Sequence, residues 1–90
     1  MENQKLVQYF KAVANARRLV ILEFLSRENS ASVSQIAREI HLSVKATSRH
    51  LAILKAAEIV ETKQIQLYVF YSISKKQNPI TRYILSLFRT

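Results

Sequence analysis

The stretch "VSQIAREIHLSVKATSRHLAILKAAEIVE", Val33 to Glu61, decides the fold. Ser32 or Ser34 can cap a helix at its start, and Ile36, Ala37 and Ile40 give that helix one apolar side. Only about two turns fit before "LS". There Ser43 is a good cap for a second helix that reaches to about Ala57. Two short helices joined by a tight turn make a helix-turn-helix.

The second helix carries two sets of side chains. On a wheel of roughly 100° per residue, Leu51, Leu54 and Glu58 gather around Thr47, and this arc faces the protein, with Glu58 at its exit. Lys45, Ser48, Arg49 and Ala52 lie opposite, His50 sits on the boundary, and no acid follows until Glu58. An α-helix fits the major groove of B-DNA, where Arg or Lys bonds guanine O6 and N7 and Ser bonds base or phosphate. Ala52 lets the helix lie close, and the free N–H groups at Ser43 favour a phosphate. The competing reading is an ordinary solvated helix face.

Outward from this core, the chain reads as mainly helical. Leu6, Tyr9, Phe10 and Val13 recur at helical spacing from Asn3 to Ala14. Asn15 can cap "ARRLVILEFLSRE", whose centre from Leu19 to Leu25 is apolar nearly all round and suits a buried middle helix. "NSAS" reads as the turn that ends it. After the helix-turn-helix, "EIVET" and "LYVFYSI" are rich in β-branched and aromatic residues and predict a hairpin, with "KQIQ" between the strands. Asn78 and Pro79 start a last helix with Ile80, Tyr83, Ile84, Leu87 and Phe88 on one side. The expected fold is α+β: one domain over residues 1–90, with about five helices and a two-stranded wing.

Composition narrows the function. Ninety residues allow one modest core. Fourteen Lys and Arg against six acids give a formal charge of +8, unevenly placed. Residues 1–42 hold six basic and four acidic groups, and residues 43–90 hold eight basic groups with only Glu58 and Glu61. Such imbalance suits a polyanionic partner, nucleic acid before membrane, although charge also serves solubility. There is no Cys, which removes disulfides, thiolate metal sites and thiol switches and fits a reducing cytoplasm. No apolar run approaches the length of a membrane span, and the N-terminus lacks the order of a secretory signal.

The residues also carry a resemblance. "KAVANARRLVILEFL" and the helix-turn-helix, with Ile36-Ala37, Leu42-Ser43, Ser48-Arg49-His50-Leu51 and Leu54 in step, resemble ArsR-type (arsenic-repressor-like) transcriptional regulators. "VFYSI" is similar to their second wing strand. The resemblance implies a homodimeric regulator, in the first instance a repressor, whose paired recognition helices read an inverted repeat in double-stranded DNA. It implies a dimer interface from the first and last helices, here Leu6, Tyr9, Phe10, Val13, Ile80, Tyr83, Ile84, Leu87 and Phe88; the apolar side of the short last helix independently needs a cover, either from its own chain or from a partner. Relatives keep an arginine at the place of Arg18, which suggests a bond to a neighbouring carbonyl. Expected base contacts are Val44, Lys45, Ser48 and Arg49; expected phosphate contacts are Ser43, His50, Lys55 and Lys63.

Three departures matter. The chain has no Gly, whereas relatives place Gly at His41, Glu58 and Gln66, so at least one of these is expected at φ > 0. The wing is weak in charge, with Lys63 its one base between Glu61 and Tyr71, and Ile65 reads as an exposed tip residue. The paired cysteines or Asp and His clusters of metal-sensing relatives are missing, so no metal or other cofactor is expected. With no Asp, no phosphate loop and no acid near either histidine in sequence, catalysis is not expected. Tyr68, Phe70 and Tyr71 can stack on unpaired bases, but their alternation on a strand fits packing better. Two other classes stay open: a protein-interaction module and a sequence-blind architectural DNA binder.

Overall fold

In a computed structural model, which describes residues 2–89, five helices surround a three-stranded antiparallel sheet. Helix α1 spans Asn3–Val13 and α2 spans Ala16–Glu28. A two-residue strand β1, Ala31–Ser32, leads into α3, Val33–Ile40, and α4 follows at Val44–Ala56. Strands β2, Val60–Ile65, and β3, Tyr68–Ile73, form the hairpin, and α5 closes the chain at Pro79–Leu87. This is a winged helix-turn-helix.

The polar caps foreseen at the helix starts are in place. Asn15 accepts from the Arg18 N–H and Asn78 from the Thr81 N–H, with Pro79 in the first turn of α5. Of the two candidate serines, Ser32 caps α3, and the Gln35 side chain returns a bond to the Ser32 N–H. That reciprocal pair satisfies two donors that a bare helix start leaves open.

One core holds the domain. Ile21, Leu22 and Leu25 of α2 meet Ile36 and Ile40 of α3, Leu51 and Leu54 of α4, and Ile59 and Val60 at the start of the hairpin. Burying each such side chain contributes roughly 1.5–3 kcal/mol over leaving it exposed. The middle helix is less enclosed than its composition implies, because Val20 stays 41% exposed and Leu19 and Phe24 are half-buried.

The sheet differs from expectation in two ways. "NSAS" holds a strand as well as a turn: Ala31 and Ser32 pair with Tyr71 and Phe70 of β3. The hairpin is also longer than its β-branched residues mark. Lys63, Gln64 and Ile65 continue β2 and pair with Phe70, Val69 and Tyr68, leaving only Gln66 and Leu67 as the loop. Pairing with a β-rich partner strand overrides the weaker propensity of "KQIQ".

The missing glycines are replaced by left-handed side-chain residues. His41, Glu58 and Gln66 all take φ > 0, at 56°, 61° and 56°, and Asn29 joins them at 71°. At His41 the next N–H, Leu42, bonds back to Ala37, and at Glu58 the Ile59 N–H bonds back to Leu54. Both are the six-to-one closures of a helix that ends in a left-handed residue. Leu42 and Ile59 then turn inward on to the core. The two closures fix where α4 begins and where the wing leaves it.

Candidate nucleic-acid interface

Helix α4 is set by what it buries. Thr47, Leu51 and Leu54 have no accessible surface, Ser43 caps the first turn by accepting from the Ala46 N–H, and α3 packs alongside. With that arc fixed inward, Lys45, Ser48, Arg49 and Ala52 are exposed, as the wheel requires. Val44 is 49% exposed at the helix start, and Lys55 is exposed further along. Among the described residues the ion pair that forms is Arg27 with Glu39, away from this row. The cations of α4 therefore face solvent and form no ion pair among the described residues.

His50 is half-buried, and its environment is specific. Arg18 Nη1 lies 3.1 Å from His50 Nδ1. A guanidinium only donates, so Nδ1 is the acceptor and the ring proton sits on Nε2. Burial first, then the charges of Arg18 and Arg17, hold the imidazole below its ordinary pKa of 6.5. His50 is thus a neutral ring with one N–H left to donate.

The adjacent arginines at the start of α2 are explained by the ends of other helices. Arg18 Nε donates to Ala12 O at 2.6 Å and its Nη2 to Lys11 O, at the C-terminal end of α1. Arg17 Nη1 donates to Ile40 O at 2.9 Å, the last residue of α3. Cations at helix C-termini satisfy open carbonyls and complement the dipole. The carbonyl role suggested for Arg18 holds; its bond to His50, and the role of Arg17, carry no signal in sequence because the partners come from remote turns.

Lys63 is exposed on β2, and beyond it the wing has no cation up to Ile73. Ile65 is 49% exposed at the tip. Tyr71 packs on the core, and Tyr68 and Phe70 lie near each other with ring centroids 6.4 Å apart.

The residues expected at a dimer interface are divided by the fold. Tyr9 and Val13 are 2% and 8% exposed and belong to the chain's own core, so they are not surface residues; burial raises the Tyr9 pKa, partly offset by a hydrogen bond to Thr81 of α5. Ile80, Ile84 and Phe88 are half-buried against that core, and Leu6 is half-buried. Phe10, Tyr83 and Leu87 are the ones turned outward, at 50%, 65% and 49% exposure, with Val7 beside Phe10's helix face at 51%.

No three of His, Cys, Asp or Glu come together among the described residues as a metal ion requires. No described helix is long and apolar enough to cross a membrane.

Residues 15–62, from the cap of α2 to the second strand, match the family model described as bacterial regulatory protein, arsR family. The chain belongs to the arsR family. The arsR-type match is supported by individual relatives. The transcriptional activator HlyU of Vibrio cholerae is 40% identical over 73 residues, covering 81% of this chain and 67% of that protein. A solved HlyU structure from the same species superposes with a TM-score of 0.80 or better, at 0.83, covering 99% of this chain and 96% of that one at 37% identity. The nodulation protein NolR of Rhizobium meliloti is 38% identical over 73% of this chain, which spans 53% of NolR. The homodimeric winged helix-turn-helix DNA-binding domain of Mb0332 from Mycobacterium bovis superposes with a TM-score of 0.80 at 26% identity, covering 96% of this chain and 76% of that one.

Proposed function

We propose that this arsR-family chain is a homodimeric, sequence-specific double-stranded DNA-binding regulator that acts in the cytoplasm and represses where its operator overlaps a promoter. It is a binding protein rather than an enzyme. The observation that carries the reading is α4: a helix held by Thr47, Leu51 and Leu54 presents Lys45, Ser48 and Arg49 on a face with no acid. Val44, Lys45, Ser48 and Arg49 contact bases. Ser43, His50 through Nε2–H, Lys55 and Lys63 contact phosphate. The relatives support the DNA-binding and dimeric parts of this reading rather than its sign: HlyU is named a transcriptional activator and the Mb0332 domain a homodimeric winged helix-turn-helix DNA-binding domain.

Selection of bound duplexes from a random library at near-physiological salt tests this. An enriched inverted repeat with half-sites about one helical turn apart is expected. Arg49→Ala should weaken binding to that repeat by roughly 1–3 kcal/mol and relax preference at one position. Recovery without a motif would indicate a sequence-blind binder, and no recovery at all an interaction module.

A further inference from the structure

The tip of the wing is apolar where a phosphate-binding wing would be basic. Leu67 is 92% exposed, and Ile65 and Tyr68 are 49% and 63% exposed. Ile65 and Tyr68 are opposite each other across the ladder, so they flank the Gln66–Leu67 loop on one face. The loop is held in shape: Gln66 is at φ 56°, and Gln64 Nε2 donates to Gln66 O at 3.3 Å. No Lys or Arg occurs from Gln64 to Ile73.

Packing within the chain does not account for a leucine left in water at a hairpin loop, because folding buries almost none of it. The charge around it limits what covers it. Lys63 stands two positions before Ile65 on β2 and so shares the face of Ile65 and Tyr68. The hairpin leaves directly from the cationic α4, while Lys75 and Lys76 lie at the base of the hairpin, away from the tip. A polyanion with an apolar recess matches that combination. The minor groove of DNA is such a recess: its A·T pairs present only acceptors, which an amide NH2 satisfies, and its base steps admit leucine and isoleucine wedges.

We propose that Leu67, backed by Ile65 and Tyr68, is a wedge that enters the minor groove beside the site of α4 and partly unstacks one base step. The Gln66 amide donates to A·T acceptors at that step, and Gln64 props the loop. The duplex is thereby kinked toward its major groove, with a preference for flexible pyrimidine–purine steps such as TA at the flank. The inference rests on the DNA-binding reading of α4.

The test uses duplexes recovered by the selection above, with 2-aminopurine at the flanking step and a donor–acceptor dye pair at the ends. Binding, bending and unstacking are read on the same samples. The wild-type chain should bring the ends closer and raise the 2-aminopurine signal. Leu67→Ala, at a site too exposed to affect folding, should keep the half-site preference, lose the bend, lose the flanking TA preference and return the fluorescence to that of free duplex. Leu67→Met should retain all three. Wild-type binding to straight, fully stacked DNA, or a bend unchanged in Leu67→Ala, would overturn the wedge while leaving the reading of α4 intact. Absence of wild-type binding to any duplex would overturn both.

Discussion

His50 combines a recognition-helix position with a bond that only its neutral form can make. Arg18 donates to Nδ1, and protonation there would set two cations against each other. The folded pKa lies below the ordinary 6.5, so the unfolded chain takes up the proton first as pH falls. The His50 contribution to stability is therefore flat above that value and is lost as pH drops from it toward the folded value. Melting temperatures measured from about pH 7.5 down to pH 5 should fall more steeply for wild type than for His50→Asn, which keeps an acceptor near Arg18 but does not titrate. Parallel curves would remove His50 as the source. Thr47 offers a second residue-level check. Its hydroxyl is buried without a hydrogen-bond partner, and an unsatisfied buried polar group costs about 1–3 kcal/mol. Thr47→Val keeps the shape and should raise the unfolding free energy by an amount near the lower end of that range, read as a higher urea midpoint with the m-value unchanged.

At the scale of elements, the C-terminal ends of α3 and α4 are each closed by a residue that carries a Cβ in a left-handed conformation, His41 and Glu58. Such a residue costs about 1–2 kcal/mol, of which glycine gives back part through the larger entropy of its unfolded chain. His41→Gly and Glu58→Gly should each stabilise the domain by roughly 0.5–1 kcal/mol, or a few degrees of melting temperature. A loss of stability on either change would mean that the side chain makes a contact outweighing its backbone strain. These positions show how far the sequence was legible. The helices, their polar caps and the inward arc of α4 follow from periodicity and cap chemistry, which are local. The strand at Ala31–Ser32 and the extension of β2 through Lys63–Ile65 do not, because both exist only by pairing with β3. The outward row Lys45, Ser48 and Arg49 was readable for the same local reason, whereas the Arg18–His50 bond joins residues 32 positions apart.

For the whole molecule, the expected dimer interface was legible as apolar helix faces but not as a division between core and surface. An amphipathic stripe does not say whether its own chain or a second copy covers it. Tyr9 and Val13 meet the core, and Phe10 and Tyr83 remain outside. The proposed dimer therefore depends on the outward residues, Phe10 and Tyr83 among them. Phe10→Glu and Tyr83→Glu should each shift sedimentation from dimer to monomer, with the secondary structure intact and affinity for the inverted repeat reduced. A dimer unaffected by both changes would move the interface elsewhere. The salt dependence belongs to this scale too, since each phosphate neutralised steepens the log–log slope by about −0.9.

The short strand β1 ties these scales together. Ala31 and Ser32 are zipped to Tyr71 and Phe70 of the wing, and Ser32 is at the same time the cap of α3. Loosening the wing thus frees the first turn of the helix that supports α4. In amide hydrogen exchange, the N–H groups of β3 and those at the start of α3 should open together as one cooperative unit, so that a strain applied at the hairpin is felt by the reading head as a change in how firmly it is seated.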